Sequence, residues 1–134
     1  MLWRSTYKTG NAIVDRDHKE IFGMVERLLE NDFGSRSEKV EIAVGFLLDY
    51  VAKHFANEER LMDESGYPQA ILHKKQHSDF AQAANLLAKK IHTNLASIDL
   101  SLEVNNTIVK WLAEHVMGSD RDLADHYRNW SGNQ

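Results

Sequence analysis

The sequence puts ionisable side chains where a helix should bury its most apolar ones, and this constrains the fold more than any other feature. Val14, His18, Ile21, Val25 and Leu28 step by four and three, the spacing of one inward-facing helix seam. Val40, Val44, Leu47, Val51, His54, Glu58 and Leu61 repeat that step, as do His73, His77, Phe80, Ala84, Leu87 and Ile91. A fourth series is Val104, Ile108, Trp111 and His115. His18, His54, Glu58, His73, His77 and His115 are therefore in phase with valines and leucines. Burying a carboxylate or imidazole without a partner costs several kcal/mol. One such histidine is ordinary and is satisfied by a hydrogen bond. Six polar groups on four seams require something that compensates them together.

The helical period runs through the whole chain, with no strand or hairpin signal, repeat or linker. Gly34-Ser35-Arg36-Ser37, Ser65-Gly66-Tyr67-Pro68 and Thr93-Asn94-Leu95-Ala96-Ser97 are the strongest breakers. They predict an N-terminal arm over 1–14 and helices near 15–32, 37–64, 69–92 and 100–117. A tail over 119–134 follows, helical near 119–129. The 134 residues amount to one domain, 1–134. Four amphipathic helices on short connections form an all-α, up-down-up-down antiparallel four-helix bundle.

Antiparallel neighbours bring to one level the residues equidistant from the turn between them. His18 and His54 are equidistant from the Gly34–Ser37 turn, and Glu58 and His77 from Gly66-Tyr67-Pro68. His77 and His115, and likewise His73 and Asp120, are equidistant from the Thr93–Ser97 loop. The bundle thus gathers these side chains within roughly 6 Å along its axis.

His54-x3-Glu58 and His73-x3-His77 each point two side chains one way from one helix. Five imidazoles with one or two carboxylates are too many for a single tetrahedral ion and suit two ions bridged by carboxylates. Imidazole ligation without sulfur fits iron, zinc, copper or nickel, and carboxylate bridges favour iron or manganese. The chain has no cysteine, which excludes thiolate-ligated zinc, iron–sulfur clusters and disulfides. Asp120 follows His115 by five residues, about 140° around an α-helix, so its angle predicts a solvated side chain while its level predicts a ligand.

The order His18, His54-x3-Glu58, His73-x3-His77, His115-x4-Asp120 resembles the hemerythrins. Asp15-Arg16-Asp17-His18-Lys19-Glu20, His54-Phe55-x2-Glu58-Glu59-x2-Met62, Gly66-Tyr67-Pro68 and Trp111-Leu112-x2-His115 carry the same resemblance, particularly to single-domain bacterial members. It implies two non-haem iron ions per chain. One is held by His73, His77 and His115, the other by His18 and His54 with an open position. Glu58, Asp120 and an oxo or hydroxo group would bridge them. It also implies reversible O2 binding at the open iron, where small anions such as azide would compete. Around that position Ile21, Phe55, Trp111, Leu112 and Val116 would form an apolar O2 pocket that starves the bound gas of protons, as a carrier needs and an oxidase does not.

The function expected is therefore oxygen carriage, storage or delivery, not enzymatic turnover. An O2 or redox sensor domain of a larger signalling protein is the alternative, and a di-iron oxidase or nitric oxide reductase ranks below it. No histidine has a glutamate three residues before it, as the ferritin-like di-iron pattern requires. A net charge of −4 speaks against nucleic acid. No apolar run spans a membrane, and the first residues lack a signal peptide's apolar core, so a cytoplasmic location is expected. The protein partner is unknown. Among the remaining residues, His92 and His126 are expected in solvent, Glu59 and Arg60 on a solvated face, and Trp3 and Tyr7 as anchors of the arm.

Overall fold

The structure, a computed structural model, describes residues 3–29, 38–92, 103 and 105–132. Every regular element among them is helical. Helices α1 (Ala12–Leu29), α2 (Glu38–Ser65) and α3 (Ala70–His92) are followed by a helical run. That run comprises a π-helical turn (Asn105–Val109), α4 (Lys110–His115), a second π-helical turn (Val116–Asp120) and α5 (Arg121–Gly132). The Gly34–Ser37 and Thr93–Ser97 turns, and the side chains of Val40, Ile91, His92 and Val104, lie outside the described residues. No helix among the described residues is long and apolar enough to cross a membrane.

Helix α1 starts three residues before the expected position, and the arm is shorter to match. The reason is a cap: Asn11 Oδ1 accepts the Ile13 and Val14 N–H groups, both at 3.1 Å. Asp15, in the first turn, accepts the Thr9 N–H and hydroxyl at 2.8 Å each and ties the arm down. Tyr7 stacks on Phe22 at 5.2 Å, and Lys19 Nζ lies 4.6 Å above the Trp3 ring, so both aromatic residues do anchor the arm. Between α2 and α3, Gly66 adopts φ +62 and the Tyr67 N–H reaches back to the Met62 carbonyl at 3.0 Å. This left-handed cap satisfies the end of α2 and turns the chain.

The four series meet in the interior. Helix α2 packs against α1, α3 and α5, and the Asn105–Val109 turn rests on α1 and α3. Val25, Leu28, Leu47, Phe80, Ala84 and Ile108 form the apolar half of the core. Each large side chain there contributes ~1.5–3 kcal/mol by burial.

The helix α5 covers most of the helical tail expected near 119–129, and it continues directly from α4. The backbone of His115, Val116 and Arg121 is right-handed helical, and α4 runs into α5 without a break. The Val116–Asp120 turn bonds i to i+5 and so absorbs one extra residue per turn. That returns Asp120 to the His115 face, and it is buried. The level of Asp120 in the bundle, and not its angle in an unbroken 3.6-residue period, therefore describes where it sits.

Candidate metal centre

The bundle brings all seven candidate ligands together. His18 comes from α1, His54 and Glu58 from the middle of α2, and His73 and His77 from the first turns of α3. His115 ends α4, and Asp120 ends the π turn that follows. None is more than 6% exposed, and Glu58 is fully buried.

Their donor atoms form two overlapping groups. One holds Glu58, His73, His77, His115 and Asp120, the other His18, His54, Glu58 and Asp120. The carboxylates belong to both, one oxygen to each. Asp120 Oδ1 stands 2.9 Å from His73 Nε2 and from His115 Nε2, while Oδ2 stands 2.9 Å from His18 Nε2. Glu58 Oε1 stands 3.1 Å from His77 Nε2, and Oε2 stands 3.5 Å from His54 Nε2 and 3.9 Å from His18 Nε2.

Hydrogen bonds do not account for this crowd. His73 Nε2 lies 2.9 Å from both His115 Nε2 and Asp120 Oδ1, and one imidazole proton cannot serve both. Both Glu58 oxygens and the Nε2 atoms of His18, His54 and His77 are buried without a hydrogen-bond partner. Asp120 lies close to His18 Nε2 but out of line for a bond. The lone pairs converge on shared points instead of on each other. Three donors held ~2.1 Å from one ion at right angles stand ~3.0 Å apart, against ~3.4 Å in a tetrahedron. The triangle of His73 Nε2, His115 Nε2 and Asp120 Oδ1 has edges of 2.9 Å and matches the octahedral face. The residues fit a cation in each group.

Residues 9–127 match the family model described as the hemerythrin HHE cation binding domain. The chain belongs to the hemerythrin family. It is 28% identical to a bacteriohemerythrin of Stenotrophomonas maltophilia over 96% of its own length and 82% of that protein's. It is also 28% identical to a bacteriohemerythrin of Methylococcus capsulatus, covering 90% of this chain and 92% of the relative. A hemerythrin-like protein of Naegleria gruberi is 30% identical over 88% of this chain and 86% of its own.

Burial and mutual charge set the electrostatics of this hemerythrin core in the absence of a cation. Burial, then the Asp120 charge, push the Glu58 carboxyl well above the usual carboxylate range. Burial also acts to raise Asp120, but the His115, His18 and His73 imidazoles set against its carboxylate outweigh it and hold Asp120 well below that range. Burial lowers His18 against the pull of Asp120. His77 is lowered to about 2 by burial and by the neighbouring His73 and His115 charges. Burial acts to lower His54 as well, but Glu58 and Asp17 raise it to about 10. A bound cation removes the conflict by giving both carboxylates and the imidazole lone pairs one counter-charge.

Two residues that position the histidines were missed by sequence reasoning. Asp17 Oδ2 lies 2.9 Å from His54 Nδ1 and also accepts from Asn57 at 3.3 Å; Oδ1 accepts from Arg16 at 3.1 Å and Tyr50 at 3.3 Å. Glu59 Oε2 lies 3.0 Å from His77 Nδ1, which corrects its expected place on a purely solvated face. A carboxylate on Nδ1 fixes the tautomer and aims the Nε2 lone pair at a metal. The available signal was phase: Asp17 lies three residues after Val14 and four before Ile21, beside the buried seam.

The apolar residues divide around the centre. Ile21, Leu112 and Val116 are deeply buried in one cluster with Phe55. The Phe55 ring lies flat on His77 at 3.8 Å with its centroid 6.3 Å from that of His54. Trp111, half-buried, stacks on His115 and Phe80, both at 4.3 Å. His126 is not free in solvent as expected: its Nε2 bonds the Ser65 carbonyl at 3.0 Å, tying α5 to the end of α2.

Proposed function

We propose that this hemerythrin binds O2 reversibly at a non-haem di-iron centre, for carriage, storage or delivery. His73, His77 and His115 would hold one ion and His18 and His54 the other, with the Glu58 and Asp120 carboxylates shared between them. The observation that carries this reading is the split of each buried carboxylate, which offers one oxygen to each group of histidines. The reading includes an up-down-up-down topology, a single domain over 1–134 and action in the cytoplasm.

An iron pair supplies the electrons and the exchangeable position that reversible O2 uptake needs. The chain supplies the rest. Asp17 and Glu59 hold Nδ1–H of His54 and His77 and so keep both Nε2 lone pairs turned inward. Ile21, Leu112 and Val116, at 1–2% exposure, pack in one apolar cluster with Phe55 that keeps water out of the interior. They carry no acidic proton, so nothing on that wall favours reduction of the gas over its release. Binding is thus favoured over turnover.

The test is an optical spectrum of the iron-loaded protein while oxygen is flushed in and out. The expected result is repeated cycling between a colourless reduced and a coloured oxygenated state, with azide occupying the same position. Leu112→Ser should speed loss of the oxygenated form. A single irreversible consumption of O2, with no oxygenated state on stopped-flow timescales, refutes the carrier reading and favours a sensor or an oxidase.

A further inference from the structure

Among the described residues, two openings approach the buried cluster, and they differ in chemistry. The smaller, about 300 Å³, lies beside His73 and is edged by Tyr67, Gln76, Ser119 and Asp122, with the Ser119 hydroxyl donating to Gln76 at 2.7 Å. It is a polar opening suited to water. The larger, about 540 Å³, runs between α2 and α3. Val51, Ala52, Phe55, Phe80 and Ala81 give it an apolar stretch that reaches His77, while Asp49, Glu59, Lys74, Ser78 and Asn85 supply the polar part of its lining. Its size lies in the ~300–1,000 Å³ range of small-molecule cavities. A small apolar gas favours such a lining over water.

Phe55 belongs both to this groove and to the interior. It lines the groove and packs in the same cluster as Ile21, Leu112 and Val116. It is 7% exposed where those three are 1%, 2% and 1%, so it is the member of that set that meets solvent. The Phe55 ring has no hydrogen bond to anchor it; it is held by its stack on His77 and by tilted or edge contacts with Phe80 and Trp111. Ala52, one helical turn before it, and Ala81, on α3, line the groove with the smallest side chains beside the ring.

We propose that the α2–α3 groove is the port through which O2 reaches the buried cluster, with the Phe55 ring as its gate. This rests on the O2-binding reading above. A gate raises or lowers the barrier without touching the bound state, so it changes association and dissociation rates by one factor and leaves the Kd alone. Ala81→Leu and Ala52→Leu fill the groove at exposed helical positions. Each should slow both rates by about tenfold at constant Kd. Phe55→Ala should accelerate both.

A second readout does not use O2 binding. Methyl NMR of the purified protein under xenon pressure reports where an apolar gas of similar size enters. Shifts are expected at Val51, Ala52, Ala81 and Leu112, and should fade in Ala81→Leu. Unchanged O2 rates in both leucine variants, or xenon shifts confined to Leu72 in the smaller opening, overturn the port. If the iron-loaded protein takes up no O2, the functional reading fails and xenon still decides the route.

Discussion

Replacing Asp17 tests whether the centre depends on the residues behind it. Asp17 Oδ2 accepts from His54 Nδ1 at 2.9 Å, and Oδ1 faces the Tyr50 hydroxyl and the Arg16 guanidinium. In Asp17→Asn one side of the group becomes a donor. Arg16 is 68% exposed and can swing away, so the amide should turn its NH2 toward Arg16 and keep its oxygen on His54. Geometry survives and charge is lost. Changes of this kind cost 10–100-fold in metal affinity, and Asn should fall at the lower end, about tenfold or ~1.4 kcal/mol. Asp17→Leu removes acceptor and charge together and should reach about 100-fold, ~2.8 kcal/mol. Glu59→Gln should cost less than Asp17→Leu, because Glu59 is 35% exposed and water can replace it on His77. Competition of the loaded protein against a chelator series measures all three. Affinities within twofold of wild type for both Asp17 variants would refute the idea that Asp17 orients His54.

Metal removal should lower the melting temperature. Free metal at one hundred times its Kd adds ~2.7 kcal/mol per site, worth roughly 10 °C in a chain of this size, and equal melting of stripped and loaded protein would count against a metal-compensated core. Glu58→Gln should reduce metal content from two ions per chain toward one, because only one of its two side-chain polar atoms could still ligate; elemental analysis decides it. Stability of the stripped protein should peak near neutral pH. His54, raised to about 10, stabilises fully below its ordinary pKa of 6.5 and loses that contribution as pH climbs toward 10. His77, lowered to about 2, and His18, also lowered, destabilise the fold as pH drops below 6.5, where the unfolded chain takes up their protons. Urea melts at pH 5.5, 7 and 9 read both limbs, and a monotonic trend would contradict the assignment.

The sequence revealed much of the centre because metal ligands break a rule that is otherwise kept. His18, His54, Glu58, His73, His77 and His115 stand where only apolar residues belong, so helical phase exposes them. Asp120 did not yield to phase, since the π turn resets the angular count within Val116–Asp120, and no residue there announces it. The same reset divides the fourth helical series near position 118, where α4 and α5 are joined by the π turn. Asp17 and Glu59 escaped for another reason: each borders a seam, is acidic and sits next to an obvious ligand, so a solvated reading satisfied every local rule. The start of α1 is not legible in phase alone, because the Asn11 cap begins the helix before the buried seam does.

The wide turn before α5 also bears on how this chain should be compared with others. A π turn amounts to an α-helix holding one additional residue. With Gly118 deleted, the aspartate would follow His115 by four positions, about 40° around a regular helix. That is the spacing of His54 with Glu58 and of His73 with His77. The fourth helix is therefore one codon away from repeating the arrangement of the second and third. Its residue count can drift without displacing the carboxylate, provided the turn type drifts with it. Chains of this architecture are best superimposed on their buried side chains, and a one-residue gap between the last histidine and the aspartate is a change of helical winding, not the loss of a ligand.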